Sequence, residues 1–339
     1  MNIKKLIKND SQFLSLTSLY VSEFKELLQP FSHRWRTHIK HFTLRGKRRR
    51  KPLTFRQLAS ATTKLKSPEE KLFFILYFFK NNHLQQALAA QFYMNQSQVS
   101  RWIKVLLPIL EQSIKDLHVQ TARTMDELVR LFRRRQHKAT HDNDQEPTES
   151  LHLDAPERTM QRNVDDQAQA EDFSCKQGAH TLKNSVLSDE HQFIHFLGYT
   201  FRGAVHDKTM AEQELPNLTP LQLYNLWLSK DKAYQAYLVA GVHLLEPFKA
   251  KRNNPLTDFQ KEFNQWISSI RITCEHAIAG VKRCRLLKET LRYFDATFRD
   301  KIMAVGCGLH NFRVTRRKDS YARGAQRVRA RINLNLSTT

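Results

Sequence analysis

The hydrophobic pattern of the chain changes at Leu151, and this change limits the folds open to it. Before an acidic, polar stretch from Thr140 to Ser150, apolar residues recur with helical spacing. After it, short apolar segments alternate with turn-type residues. The first pattern predicts an all-helical region, and the second is typical of neighbouring strands. The stretch between them lacks apolar periodicity, so it is predicted to be a linker.

The segments on either side suggest two domains, which a chain of 339 residues can accommodate. The predicted helices of the first part are Phe13 to Phe31, Pro68 to Asn81, Leu84 to Phe92, Ser97 to Leu117 and Met125 to Arg135. The predicted strands of the second part lie in 151–155, 180–189 and 192–201 and near 223–228. Two helices follow, Ser268 to Arg292 and Asp295 to Arg313. We therefore expect an all-helical domain ahead of an α/β domain.

The charge of the chain indicates a polyanionic partner. Lys and Arg total 55 against 33 Asp and Glu, a formal net charge of +22. Nucleic acid is the first candidate, and a ribosome or an anionic membrane surface remains open on charge alone. The longest apolar run, Leu72 to Phe79, is shorter than the roughly 20 residues of a membrane span, and the first residues do not form a secretory signal. We expect a cytoplasmic, nucleoid-associated protein with no membrane partner.

A helix-turn-helix is predicted near residues 84–110. Ala89, Val99 and Trp102 fall where this motif keeps its small residue and its packing residues. Asn95 can cap the second helix while Gln98 returns a bond to the cap's amide. Tyr93 occupies the usual place of the turn glycine, where a left-handed conformation would be strained. A purely structural helical hairpin is the alternative interpretation.

The start of the second helix carries the candidate DNA-reading side chains. Gln, Ser and Arg side chains can bond base edges or phosphates in the major groove, where a helix fits. The candidates are Gln96, Ser97, Gln98, Ser100 and Arg101. Two basic clusters, Arg45 to Lys51 and Arg313 to Arg331, could neutralise phosphates nearby or form solvated surface.

Several motifs of the second part follow one another in a specific order. They are LHLDAPERTMQR from Leu151, KQGAHTLKNSVLSD from Lys176, RGAVHDKT from Arg202, SKDKAYQAY from Ser229, LTDFQKEFNQWISSIR from Leu256, then CEHAIAGVKRCRLLK and CGLHNFRV. In this order they resemble the DDE-superfamily insertion-sequence transposases, in the IS-five group allied to the eukaryotic Harbinger transposases. The resemblance extends from about Lys71 to Val314.

The resemblance implies an RNase H-like catalytic domain, a mixed central sheet flanked by helices, and assigns its acids. Asp154 resembles the first acid, on the central strand, and Glu275 the last, on a helix. Asp231 is our choice for the second acid because it follows the predicted fourth strand. Asp207 also matches a motif and is held as a further metal ligand. Such carboxylates imply Mg²⁺, with Mn²⁺ expected to substitute.

Basic residues near the acids are expected to contact DNA. Arg271, Glu275 and Lys282 are spaced i, i+4 and i+11, which places them on one side of a continuous helix. Arg271 and Lys282 would then contact phosphate, although an ordinary ion pair within the helix is the alternative. His180 and Lys183 are expected to support the site or the DNA.

The resulting prediction is a DNA transposase that binds terminal inverted repeats and cleaves and joins DNA strands. Its predicted ranges are 1–138 for the helical DNA-binding region, 139–150 for the acidic linker, 151–315 for the catalytic domain and 316–339 for a basic tail. Its partners would be the terminal repeats, target DNA and a second copy of the chain, or a larger assembly. The alternative is a catalytically inactive, transposase-derived DNA-binding protein, since Ala155, Ala233 and Ala236 stand where the resembled group carries glycine.

Overall fold

The structure, a computed structural model, describes residues 3–54, 57, 64–141, 150–224, 226–234, 237–250 and 255–317. The chain forms two compact units. The first combines Met1–Gln120 with Val281–Arg316, and the second covers Thr121–Gly280. Most of the predicted linker, at 142–149, and nearly all of the predicted basic tail lie outside the described residues.

The first unit is helical, as predicted. In its amino-terminal part the helices are α1 (Ile3–Leu6), α2 (Asp10–Thr17), α3 (Val21–His41), α4 (Pro68–Asn81), α5 (Gln85–Gln91) and α6 (Gln96–Asp116). The predicted bounds of α4 are confirmed, because Ser67 caps its first turn by accepting a bond from the Glu70 amide at 3.2 Å. The predicted single helix from Phe13 to Phe31 was wrong. Ser18 adopts a φ of 66° there, which ends α2 before α3 begins.

The predicted start of the second helix of the helix-turn-helix is confirmed. The Asn95 side chain accepts a bond from the Gln98 amide at 2.9 Å, and the Gln98 side chain accepts one from the Asn95 amide at 3.0 Å. This reciprocal pair satisfies amides at the start of α6 that have no partner within the helix. Ala89, Val99 and Trp102 are buried, as the motif requires. The hairpin of α5 and α6 is therefore stabilised by the cap at the start of α6 and by the burial of these three side chains.

Tyr93 gives this turn a left-handed residue, and its replacement by glycine should stabilise the protein. Its φ is 52° and its side chain is 79% exposed, so the ring contributes little packing. A residue with a β-carbon costs about 1–2 kcal/mol in this conformation. Tyr93→Gly should therefore stabilise the protein by about 0.5–1 kcal/mol, after the entropy of glycine is subtracted. Urea unfolding followed by circular dichroism measures this change.

A matched variant separates the backbone effect from loss of the ring. Tyr93→Ala removes the ring but keeps the β-carbon, and alanine should give no comparable gain. Equal stabilities for the glycine and alanine variants would show that the left-handed turn carries no strain.

The second unit contains the sheets. Its strands are β1 (Ser150–Asp154), β2 (Glu157–Thr159), β3 (Phe173–Ser174), β4 (Ala179–Lys183), β5 (Val186–Asp189), β6 (Ile194–Leu197), β7 (Phe201–Arg202), β8 (Trp227–Lys230) and β9 (His243–Leu245). The described residues form a five-stranded sheet in the order β6-β5-β1-β8-β9. The pairs β6-β5 and β5-β1 are antiparallel, whereas β1-β8 and β8-β9 are parallel. Helices α7 (Met125–His141), α8 (Asp166–Asp172), α9 (Asp207–Glu214) and α10 (Asp258–Val281) belong to the same region of the chain.

This mixed sheet with helices confirms the predicted α/β fold class. The predicted segment 180–189 contains two strands, β4 and β5, which belong to different sheets. They separate at Asn184, whose buried side-chain amide donates to the Gly198 carbonyl at 3.1 Å and to Thr200 Oγ1 at 3.0 Å. The strand predicted near 223–228 lies at 227–230, and β9 was not predicted. A smaller sheet joins β2, β4 and β3, and β7 pairs with β4.

The two faces of β1 have different neighbours because successive side chains of a strand point to opposite faces. Leu151 and Leu153 are buried in an apolar core with Leu187 and Leu228. His152 and Asp154 lie on the opposite face. That opposite face carries the candidate site.

The units divide the chain differently from the predicted ranges. Residues from Thr121 onward, within the predicted DNA-binding region, belong to the second unit because Ala122 bonds to β6 and Leu128 is buried in the apolar core. Val281–Arg316, within the predicted catalytic domain, belongs to the first unit. It contains α11 (Arg285–Lys288) and α12 (Ala296–Arg316), and α12 packs against α6. Gly308 permits that approach, since a β-carbon there would lie 2.5 Å from Ile114 Cγ2.

The predicted continuous helix from Ser268 to Arg292 was also wrong. Helix α10 ends at Val281, and the Cys284 amide donates to the Val281 carbonyl at 3.1 Å in the turn that follows. The helix ends where the chain passes from the second unit to the first. In the part of the chain that the structure describes, no helix is both long and apolar enough to cross a bilayer.

Candidate active site

Two carboxylates stand at the ends of neighbouring parallel strands. Asp154 is the last residue of β1, and Asp231 directly follows β8, the fourth strand of the large sheet in chain order. The register pairs Leu153 with Lys230, so each aspartate is the next residue after that pair. Both therefore project from the same face and edge of the sheet.

Asp154 lies in an environment that disfavours its charge. Burial raises the pKa of its carboxyl group, and the negative charges of Asp231 and Asp207 raise it further. The Ala155 amide donates to Asp154 Oδ1 at 2.7 Å and opposes this effect, as does Lys176. A buried acid beside two other acids has its negative charge stabilised when a cation is added.

Helix α10 brings a basic side chain to this face. An Arg271 guanidinium nitrogen lies 3.1 Å from Asp231 Oδ1, and both side chains are partly exposed. Cys274, one turn further on, is buried, and burial together with the Asp154 charge raises the pKa of its thiol. Burial, with the nearby Arg271, lowers the pKa of His152 to about 4, so this histidine is neutral near pH 7. The helix thus lies over the face that carries both aspartates.

Lys183 joins two further acids, and the charge of one of them, Asp207, acts on Asp154. Its Nζ lies 3.1 Å from Asp207 Oδ1 and 3.6 Å from Glu157 Oε1, and all three side chains are at most 9% exposed. The same Nζ donates to the Val205 carbonyl at 3.0 Å, while Thr181 Oγ1 donates to Glu157 Oε2 at 2.8 Å. Asp207 is thereby paired with a buried lysine, whereas the Arg271 partner of Asp231 is partly exposed. We call Glu157, Lys183 and Asp207 the buried ion triad.

The structure does not bring every predicted residue to the acids. Glu275 is exposed on α10, and no described residue forms an ion pair with it. Lys282 lies beyond the end of α10, so it no longer shares one helix face with Arg271 and Glu275. His180, on β4, packs edge-on against Phe173, with ring centroids 5.7 Å apart.

The side chains present fit a hydrated divalent cation held by two carboxylates. Among the described residues, no group of three His, Cys, Asp or Glu side chains is placed to hold a metal ion. Mg²⁺ is usually bound through one or two carboxylates and keeps water or phosphate oxygens in its other positions. Asp154 and Asp231 meet that requirement, because they are adjacent and their charges interact.

The predicted DNA-reading residues lie at the start of α6, but some of their side chains bond within the protein. Gln98 completes the cap, Ser97 Oγ donates to Asn95 Oδ1 at 2.8 Å, and Gln96 donates to Gln85 Oε1 at 2.7 Å. Ser100 and Arg101 are partly exposed one turn further along.

Sequence reasoning missed three residues in these two regions. Lys104 is exposed on α6, one turn after Ser100, and the helical period could have identified it. Glu157 and Tyr234 lie within the quoted motifs, but no local pattern indicated that they are buried near the acids.

Separate parts of the chain match known protein families. Residues 153–311 match the family model described as "DDE superfamily endonuclease", and residues 63–116 match the one described as "Helix-turn-helix of DDE superfamily endonuclease". These two parts of the chain are thus similar to the endonuclease domain of the DDE superfamily and to its helix-turn-helix. Enzymes of this superfamily use divalent metal ions.

One curated relative is the "Probable transposase for insertion sequence element IS702" of Microchaete diplosiphon. It is 28% identical over 165 residues, which cover 47% of this chain and 55% of the relative. The chain thus matches about half the length of that protein. No solved structure matches the chain.

Proposed function

We propose that this protein is a DNA transposase that binds the terminal inverted repeats of its element and catalyses metal-dependent DNA strand cleavage and strand transfer. The observation that carries the proposal is the pair of carboxylates, Asp154 and Asp231, at the ends of adjacent parallel strands. The matches to the superfamily's endonuclease domain and helix-turn-helix support it, as does the relative named as a probable transposase.

Asp154 and Asp231 are the residues we assign to hold divalent metal, with Glu275 completing the set when DNA is bound. Held there, Mg²⁺ or Mn²⁺ would supply an activated oxygen nucleophile and stabilise the charge on the leaving oxygen. Asp207 supports the site from the buried ion triad and is not a principal ligand, because its partner Lys183 is buried with it, whereas the Arg271 partner of Asp231 is partly exposed.

The basic residues bind and orient the DNA. Arg271 pairs with Asp231 in the protein alone. With DNA bound, its guanidinium would bind a DNA phosphate. Lys282 contributes a second phosphate contact from the turn after α10. His180 and Lys183 act from within the protein rather than on the DNA.

Sequence recognition belongs to the helix-turn-helix. Ser100 and Arg101 are the leading candidates for base or phosphate contacts, and Gln96, Ser97 and Gln98 act mainly by shaping the start of α6. Two element ends must be joined to one target, so we propose a homodimer or a larger assembly on DNA.

The test is cleavage of a duplex that carries the gene's own flanking ends, in the presence of unlabelled competitor DNA. A transposase should cut at the ends and resist competition by unrelated duplex. A general nuclease of the same fold would lose activity to any competitor. An inactive, transposase-derived DNA-binding protein would bind the ends without cutting them.

A further inference from the structure

Two tyrosines follow the Asp231 strand and differ in their hydrogen bonding. Tyr237 is buried, and its hydroxyl donates to the Leu215 carbonyl at 2.5 Å. Tyr234 is fully buried, but its hydroxyl has no hydrogen-bond partner among the residues that the structure describes. A buried hydroxyl without a partner is unfavourable, and such groups are uncommon in folded proteins. Among the described residues, the Tyr234 hydroxyl therefore remains available to donate to a bound oxygen atom.

Tyr234 is tied by its backbone and by packing to the elements that carry the acids. Its backbone amide donates to the Asp231 carbonyl at 3.0 Å, and its ring belongs to the apolar core that includes Ala155, the neighbour of Asp154. The short turn Lys232–Tyr234 packs against α9, which begins with Asp207. Burial raises the pKa of Tyr234, and the charges of Asp207 and Asp154 raise it further, so the hydroxyl keeps its proton.

A protonated phenol beside carboxylates can act as a donor to an oxygen atom that enters the site. Metal-bound water and DNA phosphate both supply such an oxygen. We propose that Tyr234 is a positioning residue whose hydroxyl donates a hydrogen bond to the water or phosphate oxygen occupying the acid site next to Asp154. This inference rests on the proposed function, because it assumes that the acid site takes a divalent cation.

The test uses Tyr234→Phe in the full chain, with Tyr237→Phe as its matched control. Mn²⁺ affinity is measured by calorimetric titration, first without DNA and then with a duplex of the flanking ends. Thermal unfolding without cation is measured in parallel. Each variant removes one buried hydroxyl and keeps the ring. Tyr237→Phe loses a hydrogen bond to the Leu215 carbonyl, whereas Tyr234→Phe loses no hydrogen bond to a described residue.

We expect Tyr234→Phe to weaken Mn²⁺ binding by about 5–10-fold, the effect of one lost hydrogen bond, without lowering the melting temperature in the absence of cation. Tyr237→Phe should lower the melting temperature and leave Mn²⁺ affinity unchanged. Weaker Mn²⁺ binding in the absence of DNA would identify the acceptor as a metal-bound water. An effect that appears only with DNA would identify a phosphate oxygen.

Two results would overturn the inference, and they can be told apart. If wild-type protein binds Mn²⁺ and cleaves DNA while Tyr234→Phe matches its affinity with and without DNA, the role of Tyr234 fails and the proposed function stands. If wild-type protein binds no Mn²⁺ in either condition, both the inference and the metal-dependent function fail.

Discussion

Asp231→Asn should lower metal-dependent DNA cleavage by on the order of 10³-fold or more while leaving DNA binding intact. The substitution removes one of two adjacent carboxylates assigned to the cation, and a neutral amide cannot replace its charge. Its cost in stability should be small, because Asp231 and its partner Arg271 are both partly exposed. Cleavage rates with Mn²⁺ and binding of an end-containing duplex, measured on the same preparation, test both parts.

Asp207→Asn is the informative comparison for this variant. Asp207 is buried against Lys183, so Asp207→Asn should lower the stability of the protein more than Asp231→Asn does. It should lower the cleavage rate less than Asp231→Asn does. The reverse order, with cleavage abolished by Asp207→Asn and retained by Asp231→Asn, would make Asp207 the principal second acid.

Lys183→Met should destabilise the protein by about 3–5 kcal/mol. The change removes the one positive charge of the buried ion triad and leaves Glu157 and Asp207 buried without their partner. The midpoint of urea unfolding measures the loss. Cleavage at a temperature where the variant remains folded should also fall, because Asp207 is no longer held in place.

Lys208→Met provides the control for a lysine–carboxylate pair on the surface. Lys208 Nζ lies 3.4 Å from Glu212 Oε1 on α9, and both side chains are well exposed. Exposed pairs contribute roughly 0–1 kcal/mol, so this variant should unfold close to the wild-type midpoint. Similar unfolding midpoints for both lysine variants would mean that the triad contributes nothing beyond a surface ion pair.

Features that depend on local sequence were predicted well. The start of α4 follows from Ser67 and Pro68, and the cap of α6 follows from the spacing of Asn95 and Gln98. The same cap shows a limit of such reasoning. Gln98 was predicted both to cap the helix and to read DNA, and in the protein without DNA its side chain is occupied by the cap.

Features that depend on distant segments were harder to predict. Asp231 could be chosen only through the resemblance, which implies a fold whose second acid follows the fourth strand. In the structure that strand pairs with the strand that ends at Asp154. The buried ion triad brings together β2, β4 and the start of α9, and no spacing along the chain encodes that meeting. The end of α10 at Val281 was missed because the apolar pattern continues through a point where the chain changes unit.

The most direct test of the central claim is cleavage of a duplex carrying the gene's own flanking ends, by wild-type protein and Asp154→Asn side by side, with Mg²⁺ or Mn²⁺ and with a chelator. The account predicts cutting at the ends by wild-type protein with the cation, no cutting by Asp154→Asn, and equal binding by both. Equal cutting by both proteins, or cutting by wild-type protein that persists in the chelator, would contradict it.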